Sequence, residues 1–226
     1  MEKRTKKDIV IIMICSALFA ALYIIFENSI MEYGKNAELS IWLRFLPVFA
    51  IQFGMSCLGI IIVIIKNHES LSTYGVVKKH SILSIIGCLV CAIPTVLFLF
   101  WNKELHGFFP FQGMFLTNDI LQTPIPQNII LYLLVMLVWG FGESLFYVIL
   151  SQKVNSLKKP KGLLNVGALL SALIAILIHG MLGFDMAIIL EAMATFILMY
   201  GSIVVKEKTK NSIGNILIFF VIWNAL

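Results

Sequence analysis

Long apolar runs separated by short polar connections fill the chain. They cover residues 9–30, 41–65, 81–101, 128–150, 163–184, 186–205 and 212–226. None has the strict polar and apolar alternation of a helix lying on a water-soluble core. Most are about 20 residues long, the length that lets a helix cross a hydrocarbon layer. The pattern predicts an all-α fold, a polytopic membrane helical bundle of about seven transmembrane helices, with residues 1–226 forming a single integral membrane domain. Pro47 and Pro94 fall near or inside spans, where neighbouring helices tolerate a kink. The first apolar run, Ile9–Phe26, is longer than a signal-peptide core and no cleavage site precedes Glu27-Asn28, so it reads as a retained span.

Composition strengthens this picture. The 226 residues are 60% hydrophobic and only 13% charged, against about half and about a quarter in soluble domains. A formal charge of +5 raises the question of nucleic acid, but no aromatic–basic interleaving or binding motif supports one. The basic residues sit instead in the connections: Lys3, Arg4, Lys6 and Lys7; Lys66, Lys78 and Lys79; Lys153, Lys158, Lys159 and Lys161; Lys206, Lys208 and Lys210. Of the seventeen Lys and Arg residues only Lys35, Arg44 and Lys103 fall elsewhere. The positive-inside rule makes the lysine-rich side cytoplasmic, N-terminus included, and gives the basic residues anionic membrane lipid as a partner.

The remaining features are less specific. Cys15, Cys57, Cys88 and Cys91 all lie in apolar segments and read as small buried thiols rather than a redox pair or a disulfide framework. The longest external connection, about 102–127, carries Phe108-Phe109-Pro110-Phe111, Pro124 and Pro126. Interfacial anchoring is its expected role, with a lid as the alternative.

Chemistry is sought among ionisable groups within the spans, because each costs about 2.5–3.5 kcal/mol at a helix centre on insertion scales. Glu143 lies in the fourth run, His179 in the fifth, Glu191 in the sixth, and the amide Asn224 in the seventh. Each has a plain structural reading: an ion or hydrogen-bond partner, a polar seam, or interhelical glue. Zinc usually takes three or four protein ligands. One His and one or two Glu from separate spans, with no H-E-x-x-H helix, are too few, so no metal or other cofactor is expected.

The order of these groups across residues 128–226 resembles the CPBP intramembrane proteases, which include the type II CAAX-prenyl endopeptidases and the bacteriocin-immunity (Abi) proteins. That family carries Glu-Glu-x-x-x-Arg, then Phe-x-x-x-His, then His-x-x-x-Asn/Asp on successive helices. Here Gly142-Glu143-Ser144-Leu145-Phe146-Tyr147 keeps the second Glu. Ala175-Ile176-Leu177-Ile178-His179 keeps the His, and Phe220-Val221-Ile222-Trp223-Asn224 keeps the Asn. The first Glu, the Arg and the third-motif His are replaced by Gly142, Tyr147 and Phe220.

The resemblance implies a bacterial cell membrane as the location and an intramembrane endopeptidase homologue with a degenerate site, weakly active or inactive. Its catalytic residues would be Glu143 and His179, holding a water, and Asn224, donating to the oxyanion. The partner is a membrane-embedded peptide or protein, cut near the cytoplasmic side or, in an immunity or scaffold role, bound without cleavage. A small transporter ranks last, since no repeat or continuous charged path is present. Counted from the cytoplasmic lysines, Glu143 lies one to two turns shallower than His179 and Asn224. It meets them only if the fifth helix starts later, leaving 162–167 interfacial. Glu191 is the available substitute for a missing catalytic group.

Overall fold

The computed structural model describes residues 2–105 and 107–226. Among these it is all-α: α1 (Glu2–Lys35), α2 (Ile41–Asn67), α3 (Ser81–Trp101), α4 (Thr117–Gln122), α5 (Gln127–Leu157), α6 (Val166–Ile178), α7 (Met186–Thr209) and α8 (Ile213–Trp223). Five of them, α1, α2, α3, α5 and α7, are long and apolar enough to cross a membrane. The other two apolar helices are shorter than the sequence pattern suggested. α6 has 13 residues, and at about 1.5 Å each it spans about 20 Å of a hydrocarbon core about 30 Å thick. It starts late because the Asn165 side chain caps it, accepting from Ala168 N–H at 2.8 Å. It stops at His179, followed by Gly180 at φ +69°. Replacing Asn165 with alanine is expected to lower stability by about 1 kcal/mol, read as an earlier thermal transition of the detergent-solubilised protein; an unchanged transition would deny the cap its role.

α5 is the central helix. Half of its most apolar window is buried (50%), against 11% for α1 and 22% for α3. Every residue from Glu143 to Ser151 is buried. α1, α6 and the end of α2 pack around this half, while α3 and α7 pair beside it. Close approach is made by small residues, as bundles in lipid require. A Cβ on Gly167 would lie 2.3 Å from the Ser151 carbonyl oxygen, so α6 meets α5 backbone to backbone.

Three helices change pitch where they meet. Phe53–Leu58 in α2, Met136–Gly142 in α5 and Phe219–Trp223 in α8 are π-helical. The α5 segment packs against both of the others. A π-turn adds a residue per turn and so rotates the side chains that follow it. Gln52 immediately precedes the first segment, Glu143 follows the second, and Trp223 closes the third.

The lysine-rich end is tied by ion pairs. Lys153 Nζ lies 3.0 Å from Asp8 and 2.7 Å from Glu69. Asn67 donates to Asp8 at 2.8 Å, and the Tyr74 hydroxyl donates to Glu69. Burial, and then the Glu69 carboxylate, hold the Tyr74 phenol well above its ordinary pKa, so it remains a donor. At the other end Arg44 reaches back to the Gly34 carbonyl at 2.6 Å and pairs with Asp119.

The long lysine-poor connection does not simply anchor in an interface. Phe108 is exposed, but Phe111 is buried edge-on against Tyr132 and Phe220. Phe109 N–H donates to the Ala225 carbonyl at 3.0 Å, and Gln112 Nε2 to the Leu226 carbonyl at 2.8 Å. The connection is thus a packed cap over the end of α8. All four cysteines are free.

Candidate functional site

Glu143 is delivered to the middle of the bundle by the π-segment that ends at Gly142. Its side chain is 7% exposed, and His179 Nε2 lies 3.7 Å from its Oε1. Gln52 Nε2 donates to the other carboxylate oxygen at 3.3 Å. The Trp223 indole reaches the same carboxylate and stands edge-on to His179, with ring centroids 4.7 Å apart. Side chains from α2, α5 and α8 and from the end of α6 therefore meet at one polar site, buried at Glu143 and exposed at His179.

The late start of α6 removes the depth mismatch read from the sequence. His179 follows the last residue of α6, four residues past Ala175, whose carbonyl meets its Nδ1 at 2.8 Å. A carbonyl only accepts, so Nδ1 carries the hydrogen and a neutral ring turns the Nε2 lone pair toward the carboxylate. Two acceptors then face each other unless a proton lies between them or a donor bridges them. At 3.7 Å the direct contact is longer than a hydrogen bond. The pair is chemically suited to hold a guest N–H or O–H group, or a water. The His179 side chain is 31% exposed, so the site opens on its side.

Asn224 arrives in the same region with its amide already engaged. Nδ2 donates to the Phe219 carbonyl at 2.9 Å and to the Trp139 carbonyl at 3.2 Å. An amide nitrogen has two hydrogens, and both are used: one closes the end of α8 on itself at Phe219, the other fastens it to α5 one turn before Glu143. Glu191, on α7, is half-buried and feels the charge of Glu104. No hydrogen bond or ion pair joins it to Glu143 among the described residues. No group of three His, Cys, Asp or Glu side chains that could hold a metal occurs among them either.

Gly142, Tyr147 and Phe220 are all packed positions. A Cβ on Gly142 would sit 2.2 Å from Cys57 Sγ, so α2 occupies the space that a side chain there would need. Phe220 packs against Phe111, and its ring would lie 2.6 Å from a Cβ on Gly140. Tyr147 is buried between Phe146 and Phe219.

Sequence reasoning missed Gln52, Trp223 and Cys57. Gln52 had a signal, since it is an amide interrupting a long apolar run and deserved the same scrutiny as Asn224. Trp223 lies within the segment 220–224, directly before Asn224. Nothing in the sequence distinguished Cys57 from the other apolar-segment thiols.

Along α5, Lys153 follows Glu143 by ten residues, about 15 Å at 1.5 Å per residue, and the helix ends at Leu157 about 21 Å away. Compared with protein-family models, curated proteins and solved structures, the chain finds no match.

Proposed function

We propose that this chain is a CPBP-like membrane protein that holds a membrane peptide at the Glu143–His179 pair without cutting it, in an immunity or scaffold role. The observation that carries this reading is the Cys57 thiol at the Gly142 position, where a catalytic base would have to project. Hydrolysis needs a base for water and a donor for the oxyanion. Here the first-motif base has no room, and the Asn224 donors serve α5 and α8 instead. Loss of one oxyanion donor typically costs about 10²–10³ in rate. The remaining pair of acceptors suits recognition of a peptide N–H.

Slow hydrolysis is the second reading. It is favoured by the proximity of one carboxylate and one imidazole at 3.7 Å, with the imidazole partly exposed. A single experiment separates the two. The full chain is reconstituted in vesicles with a hydrophobic helical peptide that carries a photo-crosslinker and a fluorophore–quencher pair. Capture without cleavage is expected, and Glu143→Gln or His179→Ala should reduce capture about ten-fold, the loss of one to two hydrogen bonds at a buried charged site. Cleavage that disappears in Glu143→Gln would establish the enzyme instead. Capture unaffected by both changes would remove the pair from recognition.

A further inference from the structure

At the opposite end of α1, far from Glu143, a cavity of about 380 Å³ is lined by Lys3, Lys6, Lys7, Lys66, Val10 and Ile11. The apolar stems of four lysines thus line one open, largely apolar concavity at the point where α1 becomes apolar. Their pairing is incomplete. Lys6 pairs with Glu2 at 2.6 Å and Lys66 with Asp8 at 3.4 Å. Lys3 and Lys7 are exposed and make no hydrogen bond or ion pair among the described residues. The carboxylates nearby are already shared, since Asp8 also serves Lys153 and Asn67. The cavity therefore carries a surplus of positive charge that nothing in the chain neutralises.

The apolar wall continues along the same helix face. Lys3, Lys7, Val10, Ile14 and Leu18 follow one another at spacings of three and four, the spacing that stacks side chains on one helical face. Val10, Ile14 and Leu18 are exposed, as is Ile65 next to Lys66 on α2. Cations lead directly into an exposed hydrocarbon strip. A soluble anion would use only the first half of this arrangement, and a neutral lipid only the second.

The geometry points to a binding site for one anionic phospholipid, with its phosphate among Lys3, Lys6, Lys7 and Lys66 and an acyl chain along Val10, Ile14 and Leu18. The ligand is a membrane lipid bearing a net negative headgroup, drawn from the lysine-rich face, where anionic lipids attract juxtamembrane cations. Lys3 and Lys7 supply the charge without giving up any existing partner, so binding costs no internal ion pair. The site is independent of the Glu143 region and stands whether or not a peptide binds there.

The test uses the full chain in detergent and native mass spectrometry. Phosphatidylglycerol and phosphatidylcholine with identical acyl chains are added in turn, and glycerol phosphate is added as the headgroup alone. Phosphatidylglycerol should be retained about ten-fold or more over phosphatidylcholine, and glycerol phosphate should not be retained. Lys3→Gln with Lys7→Gln should abolish the preference, since each lysine near an anionic surface is worth about a five-fold change in affinity. Both side chains are exposed and unpaired, so the thermal transition should stay in place. Lys158→Gln with Lys159→Gln, removing equal charge from another exposed place, should leave the preference intact. Equal retention of the two lipids would overturn the site. So would equal sensitivity to the Lys158 and Lys159 changes, which would mean diffuse attraction. Retention of glycerol phosphate as strong as that of the lipid would overturn the lipid assignment.

Discussion

Replacing Lys153 by methionine is expected to cost about 3–5 kcal/mol of stability, the usual result of removing one partner from a buried ion pair. Lys153 is 10% exposed and Asp8 only 1%. Without the ammonium, Asp8 keeps Asn67 and a half-exposed Lys66 at 3.4 Å, and Glu69 keeps the Tyr74 hydroxyl. The Asp8 charge is then left under-compensated in a site that water hardly reaches. The damage should be wide, because this one side chain joins α1, the connection after α2, and α5. Thermal unfolding in detergent measures it, with Lys158→Met as the exposed comparison, expected within about 0.5 kcal/mol of the parent. A triple change to Asp8→Asn, Glu69→Gln and Lys153→Met should recover part of the loss, since it removes the stranded charges. A loss below about 1 kcal/mol for Lys153→Met would mean that water or Lys66 compensates and the network is not a structural hub.

Placing a glutamate at Gly142, where the proposed resemblance would put a catalytic base, is expected to destabilise the protein by at least about 3 kcal/mol and to confer no peptidase activity. Overpacking a core typically costs about 1–3 kcal/mol, and a carboxylate within a span adds about 2.5 kcal/mol or more. The new Cβ would meet Cys57 Sγ at 2.2 Å and the Leu137 carbonyl at 3.1 Å. Cys57→Ala in the same chain removes the first contact and should return part of the stability. Thermal unfolding and the vesicle cleavage assay read the two consequences separately. A stable Gly142→Glu protein that cleaves peptide would overturn the proposal that Cys57 leaves no room for a base at position 142.

Much of the architecture was legible in the order of residues. Apolar runs without amphipathic alternation can be stable as helices only where lipid or other helices cover every side, so the long helices were readable. The lysine positions mark one end of the bundle for the same reason: an ammonium in hydrocarbon is costly. The single ionisable residues Glu143 and His179 stood out by that cost, and they do come together. Less legible were the lengths of α6 and α8. Apolar residues such as Leu163, Leu164 and Leu182 continue the hydropathy signal past the helix ends. It is the Asn165 cap, and the left-handed backbone at Gly180, that end the helix. The aromatic connection was also misjudged. An aromatic residue suits an interface or a core equally, and only the space between Tyr132 and Phe220 puts Phe111 inside.

The sequence alone therefore determined the solvent of this protein, the long helices, the lysine-rich end and the two side chains that had to find each other or another partner. These follow from transfer free energies, which depend on residue type and spacing. Only the tertiary structure decided that Gln52 and Trp223 share the Glu143 site, that the Asn224 amide is spent on Phe219 and Trp139, and that Cys57 fills the place beside Gly142. Those outcomes depend on contacts between helices far apart in sequence, and at Glu143 and Asn224 also on the π-segments just before them, because a residue added to a turn changes which side chain faces which neighbour.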